Sequence, residues 1–430
     1  MRRAPDEAPV AFAEIARGLL GIAVFIGIAW LASERRRDFP LKPIAIGVLS
    51  QFVLALFLTR VPAVTAFFGL LARGVDHIQL SSVAGAKFVF GYLSGGPSPF
   101  VKAEPAVSSV VFAFQSLPAI VFVSALAALL WHWKVLRWFV RGAAWLFSKL
   151  FGVSGPVGVS TSACILLGMI EAPLLVRPIL PQLSRGELFI IMVDGMSVLA
   201  GSMMILLGAL LEHRLPGSFS HLLTAALIST PMAIGLARAI VPSETAAADR
   251  PFELQNPYRS SLDALAHGAL GAVKMAANIV ALLIVFVGLI ALIDQLLALL
   301  PHSGPPLTLA TVLGYLLAPV AWLMGVPSAD LQTIGALLGT KVTINEIVAF
   351  GQLAALPPEA LSDKSLLIVT YALSSFGNIG SVAILIGMLT ALVPAQADAI
   401  VQMGFKALLA ATLTTCLTGT TVGILRSVLT

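Results

Sequence analysis

Apolar residues run in long blocks with almost no charge between them, over 18–33, 43–59, 107–130, 188–211, 222–241, 279–300, 366–393 and 407–425. Most of these blocks are close to the roughly 20 residues that carry a helix across a bilayer. The period-two alternation of a membrane β-barrel is absent, so the pattern predicts an all-α polytopic membrane protein. Two further apolar stretches, near 154–182 and 306–350, are cut by Gly, Pro and polar residues. Each reads better as a helical hairpin entering from one side than as a clean span. The pattern of a hairpin followed by a broken span occurs twice, predicting an inverted-repeat transport core.

The two polar interruptions hold most of the chemistry. One is Gly168-Met169-Ile170-Glu171-Ala172-Pro173; the other is Asn345-Glu346. Lipid penalises a carboxylate or an unpaired peptide group by several kcal/mol, so both breaks are expected to line a site. Paired breaks in the two halves of a membrane protein point to a transporter. A carboxylate at a hairpin tip can also touch water and cap a helix N-terminus; the pairing favours a functional role for Glu171 and Glu346. Either could accept substrate hydroxyls or carry a proton. The run Ser374-Ser375-Phe376-Gly377-Asn378-Ile379-Gly380-Ser381 weakens a helix in mid-span. Asn378 and Ser381, three apart, then offer a donor and acceptors to a ligand, against the plainer reading of small residues packing helices together. Asp194 lies in an apolar run seven residues after Glu187, and is expected at the membrane edge, where it reaches water. Lys274, Lys341 and Asp294 are expected to be segment-end or interhelical partners.

Composition bears this out: 58% of the 430 residues are hydrophobic and 11% charged, against about 25% charged in soluble proteins. The net charge of +5 comes from basic residues at segment ends, among them Arg35, Arg36 and Arg37. It implies lipid contact and topology, not nucleic acid. The basic loop after the first span is expected in the cytoplasm and the N-terminus outside, although Arg2 and Arg3 pull the other way. The first apolar segment does not read as a cleaved leader. Lys134–Phe151, with Trp138 and Trp145 among basic residues, reads as an amphipathic helix along the interface. The chain divides into an entry region (1–105), a first half of the core (106–242), a polar connection (243–268) and a second half (269–430). Cys164 and Cys416 form no metal pattern and imply no disulfide framework.

Gly152-Val153-Ser154-Gly155 matches the short G-x-S-G signature of intramembrane serine proteases. No histidine lies beside it, since all six sit at segment ends or in loops, and a nucleophile needs a base. A hydrolase using Ser154 is the alternative of another class. A passive pore would want rings of polar groups rather than two clusters.

Several blocks occur in a specific order: Phe112-Ala113-Phe114-Gln115-Ser116-Leu117-Pro118, Gly168 through Pro178, Lys274-Met275-Ala276-Ala277-Asn278, Met324-Gly325-Val326-Pro327, Asn345-Glu346-Ile347-Val348-Ala349 and Phe376 through Ser381. In these the chain resembles the concentrative nucleoside transporter family, from about Ala106 onward. The resemblance implies a homotrimer in the bacterial inner membrane, each protomer with about eight spanning helices and two re-entrant hairpins. It implies secondary active uptake of nucleosides by an elevator-like motion. By the same resemblance Glu171, Glu346, Asn378 and Ser381 bind the ribose and Phe376 packs against the base.

The departures from the family are as informative. The family's Gln and Thr before the first Glu, which contact the base, are replaced by Met169 and Ile170, so base selectivity is expected to be broader or different. In sodium-coupled members the ion is held by an Asn and by a Ser or Thr. The matching positions are Cys164 and Val198, neither a hard oxygen ligand. No metal and no cofactor are therefore expected, and coupling is expected to be to protons, with Glu171 and Glu346 the first candidates as carriers and Asp194 a third. A sodium-coupled or uncoupled carrier of another small polar metabolite is the alternative among transporters.

Overall fold

A computed structural model describes residues 7–97, 99, 111–242, 256–300 and 307–429, with side chains from residue 12 to 428. Arg2, Arg3 and the first half of the polar connection, 243–255, lie outside the described residues, so the expectations placed there stand untouched. The described chain contains helices and no strand.

The entry region forms α1 (Glu7–Ala32), α2 (Leu41–Arg60) and α3 (Pro62–Phe90). After it come α4 (Phe112–Gln115), α5 (Leu117–His132) and the amphipathic α6 (Val135–Phe151). On α6 the Trp138 side chain is 82% exposed and the Lys149 ammonium sits 5.1 Å from the Trp145 ring centroid, the arrangement expected of an interfacial helix. The first half of the core consists of α7 (Gly155–Leu167), α8 (Glu171–Leu174), α9 (Arg185–Ser197), α10 (Gly201–Leu211) and α11 (Ser218–Ile240). The second consists of α12 (Ser261–Leu297), α13 (Leu309–Leu323), α14 (Leu331–Thr343), α15 (Glu346–Ala355), α16 (Asp363–Leu373), α17 (Ile379–Leu392) and α18 (Ala397–Leu429).

Seven stretches among the described residues are long and apolar enough to cross a membrane. They differ sharply in burial. Of the apolar window of α9–α10, 94% is buried, and of those of α11 and α18, 83%. None of the window of α12 is. The three buried stretches are therefore the centre of the molecule, and α12 presents Leu270, Ile284 and Val285 outward. The central helices carry hydroxyls that satisfy themselves on the preceding turn, as Thr414 Oγ1 does on the Ala410 carbonyl at 2.9 Å. Gln51 of α2 then donates to Thr418 at 2.8 Å, a polar contact that a lipid-facing surface would not hold. Where α13 and α14 pack, a Cβ on Gly335 would lie 2.4 Å from the Gly314 carbonyl oxygen. Only glycine permits that approach.

Within the polar connection α12 begins at Ser261, and the Ser260 hydroxyl accepts from the Asp263 amide at 3.1 Å as its cap. Capping outweighs the local polarity there. The loop after α1 is pinned at its base: Arg185, at the start of α9, donates twice to Glu34, at 2.5 and 2.9 Å, and Lys406 of α18 donates to it at 2.7 Å. These contacts hold the Glu34 carboxyl below its usual range, chiefly through the Arg185 hydrogen bond.

Candidate functional site

Both broken spans are broken where the sequence weakens the helix. Between α9 and α10 the chain is extended at Val198, which has φ −128° and ψ 164°. Between α16 and α17 it is irregular from Ser374 to Asn378. The peptide groups released there are satisfied locally: Ser375 N donates to Leu373 O at 2.7 Å and Asn378 N to Phe376 O at 2.8 Å. The two breaks cross each other. Phe376 N donates to Val198 O at 3.4 Å, and a Cβ on Gly377 would stand 3.2 Å from both Met196 O and Lys341 Nζ.

Each half delivers its carboxylate to this crossing. From the first half, α7 ends at Gly168, where φ is +96° and an added Cβ would lie 2.8 Å from the Ala200 Cβ. That close approach seats the Gly168–Glu171 turn on the α9–α10 break, with Met169 buried against Gly195. Glu171 opens α8 and keeps accessible surface; Ile170 is half-buried. From the second half, α14 turns into α15 at Asn345, whose side chain accepts from Val348 N at 2.9 Å. Glu346 follows in the first turn of α15, where a helix N-terminus favours an anion, and only 4% of it is exposed. Asn378 ties this helix to the broken span: its amide donates to Glu346 Oε2 at 3.0 Å, while its Oδ1 accepts from Ser381 N at 2.7 Å and caps α17. Phe376 is half-buried beside it, and Ser381 is buried.

The structure thus brings Glu346, Asn378, Ser381 and Phe376 together and sets the Glu171 turn, with Met169 and Ile170, on the other side of the crossing. The structure also places three further residues. Asp194 does not reach water: it is 1% exposed and neither carboxylate oxygen has a hydrogen-bond partner. The reason is that α9 is the most enclosed stretch of the molecule, which spacing from Glu187 does not reveal. Lys341 is, as expected, a segment-end and interhelical residue: it lies in the last turn of α14, 1% exposed, facing Glu346 and Cys416. Its place was readable in the sequence, five residues before Glu346. Ser154 is a structural hydroxyl. It donates to Glu187 Oε1 at 2.6 Å, while Ser184 N and Oγ donate to Oε2 at 2.8 and 2.9 Å. Glu187 is thereby a buckle between the start of α7 and the start of α9. Cys164 and Val198, the positions matching the family's sodium site, are both buried, with a thiol and an alkyl side chain to offer. Among the described residues no group of three or more His, Cys, Asp or Glu could hold a metal ion.

An all-helical multi-pass chain whose two halves each bring a carboxylate to crossed helix breaks is built as a membrane transporter. Three family models cover most of its length: the Na+ dependent nucleoside transporter N-terminus over residues 20–93, a nucleoside recognition gate over 113–214, and the Na+ dependent nucleoside transporter C-terminus over 221–423. The nucleoside permease NupC of Helicobacter pylori is 32% identical, across 94% of this chain and 96% of that one. An uncharacterized transporter of Bacillus subtilis, YutK, is also 32% identical, across 94% and 98%. Among solved structures, CNTnw in an inward-facing substrate-bound state superposes with a TM-score of 0.87 at 31% identity, covering 95% of this chain and 98% of that one. The chain belongs to the concentrative nucleoside transporter family. Its relatives are transporters and permeases, not enzymes, which sets aside the hydrolase reading of Ser154.

Proposed function

We propose that this protein is a secondary active transporter that takes up nucleosides across the bacterial inner membrane by proton symport. The observation that carries the reading is the Asn378 side chain, which holds Glu346 with its amide while capping α17 with its carbonyl. One residue so fixes a carboxylate, a helix N-terminus and the adjacent Phe376 in a single geometry. A ribose needs acceptors for its hydroxyls, and a base needs an apolar ring face; this group supplies both. Glu171 completes the site from the first half, and Ser381 adds a hydroxyl. Met169 and Ile170 make the wall near the base apolar, so discrimination among bases is weak.

Proton coupling is favoured by the donor chemistry. Sodium wants hard oxygens, and Cys164 and Val198 supply none from their side chains. The carboxyls available to carry a proton are Glu171, Glu346 and Asp194. Sodium coupling is the second reading, favoured by the descriptions of the matching family models. The α7–α8 and α14–α15 units act as re-entrant hairpins that close over the substrate, and the core carries it by an elevator-like movement. A homotrimer is supported by the apolar face that α12 turns outward, which a neighbouring protomer or membrane lipid would cover.

Uptake of labelled uridine and adenosine into proteoliposomes tests this, in sodium-free buffer with and without an inward proton gradient. Accumulation that a protonophore abolishes is the expected result. Accumulation that requires sodium would replace the proton, and no uptake under either condition would refute nucleoside transport.

A further inference from the structure

Asp194 is the one carboxylate among the described residues with both oxygens buried and without a partner. Its surroundings can be named helix by helix. From α7, Cys164 faces it, with Glu171 beyond the end of that helix. From α11, Thr230 faces it, but this hydroxyl donates to the Ala226 carbonyl at 3.2 Å. On α18, Cys416 faces Lys341, and Lys406 is taken by Glu34. Among the described residues no cation faces it. An ionised carboxylate held dry and unpaired is strongly destabilised, whereas a carboxylic acid in the same place is neutral and leaves only one hydroxyl to satisfy.

The other two carboxyls are placed for a different task. Glu346 receives the Asn378 amide and has Lys341 nearby, so its oxygens are already engaged beside Asn378 and Ser381. Glu171 keeps accessible surface and opens a helical turn. We propose that Asp194, packed between α7 and α11 with its oxygens unpartnered, is the carboxyl that carries the coupled proton, leaving Glu171 and Glu346 to the substrate.

This rests on the reading of the protein as a proton-coupled nucleoside transporter. It also explains how coupling is transmitted. Cys164, which shields Asp194, lies one turn before Gly168, and Gly168 N donates to Cys164 O at 2.9 Å. The turn that presents Glu171 to substrate is therefore continuous with the helix that covers Asp194. A movement of α7 that opens the substrate site also admits water to the acid, which then exchanges its proton. Loading and release are tied to the two ends of the transport cycle by one rigid arm.

The test compares wild type with Asp194→Asn in proteoliposomes. A gradient of one pH unit supports up to about tenfold accumulation at one proton per nucleoside. Wild type should approach that ratio, and the Asn variant should stop at equal concentrations inside and out. Its counterflow, the exchange of labelled for unlabelled nucleoside with no gradient, should persist. Asp194→Gly removes the carboxyl with less volume and is expected to do the same. Gradient-driven accumulation in either variant overturns the proposal, as does loss of counterflow in both, because exchange needs no proton carrier. Failure of the broader reading looks different: wild type itself would not respond to the proton gradient, or would not take up nucleoside at all.

Discussion

Replacing Asn378 by Ala removes two interactions at once, and the structure lets them be separated. The side-chain oxygen caps α17 through Ser381 N at 2.7 Å; losing an N-cap costs about 1 kcal/mol. The amide donates to the buried Glu346 carboxylate at 3.0 Å, and a hydrogen bond to a charged group contributes about 1.5–3 kcal/mol. Asn378→Ala should therefore lower stability by about 2.5–4 kcal/mol, two to three powers of ten in the folding equilibrium. Asn378→Asp keeps an oxygen for the cap, and an aspartate is a good N-cap. It replaces the donor by a second carboxylate facing Glu346. Denaturant unfolding of the purified protein and nucleoside binding by calorimetry give the two readouts. Asn378→Asp should keep the cap contribution yet bind nucleoside at least as poorly as Asn378→Ala, because Glu346 is no longer held and is repelled. Wild-type affinity in Asn378→Asp would refute the assignment of the amide as the group that presents Glu346 to the ligand.

Other outcomes follow from the same geometry. Ser154→Ala removes the hydroxyl that donates to Glu187 at 2.6 Å; it should cost about 1.5–3 kcal/mol of stability while uptake survives, and loss of uptake in a folded variant would revive a chemical role for Ser154. The Glu34 carboxyl is held below its usual range by Arg185 and Lys406, so its contribution is fully present above the ordinary carboxylate range and fades as pH falls through the lowered value. Glu34→Gln should accordingly destabilise at neutral pH and flatten the acid limb of a stability–pH curve, and an unchanged acid limb would show that the cluster is inert. Restoring the family's polar pair by Met169→Gln with Ile170→Thr should sharpen discrimination between uridine and adenosine in competition uptake; an unchanged ratio would mean that these positions do not face the base.

Much of this architecture was legible in the chain because membranes make polarity expensive. Glu171, Glu346 and the Ser374–Ser381 run stand out against apolar flanks, and each falls at a helix break. The interruption at Val198–Ala200 was harder to see, for its side chains are apolar and only the backbone leaves the helix. Asp194 was misjudged for a related reason. A charge near a segment end is usually solvated, and only the packing of α9 at the centre shows that this one is not. Ser154 illustrates the converse: a motif with chemical associations is spent on a hydrogen bond that buckles two helices.

The hydrogen bond from Phe376 N to Val198 O joins residues made far apart in time. As the first half enters the membrane, the break between α9 and α10 has no partner from the second half, which has yet to be synthesised. Exposed peptide groups are poorly tolerated in lipid. The unfinished chain is therefore expected to hold that break among its own helices or against the insertion machinery until α16 and α17 arrive. Assembly of the substrate site then doubles as the last step of biogenesis, and a truncation before residue 363 should leave a first half that inserts but is cleared by proteolysis.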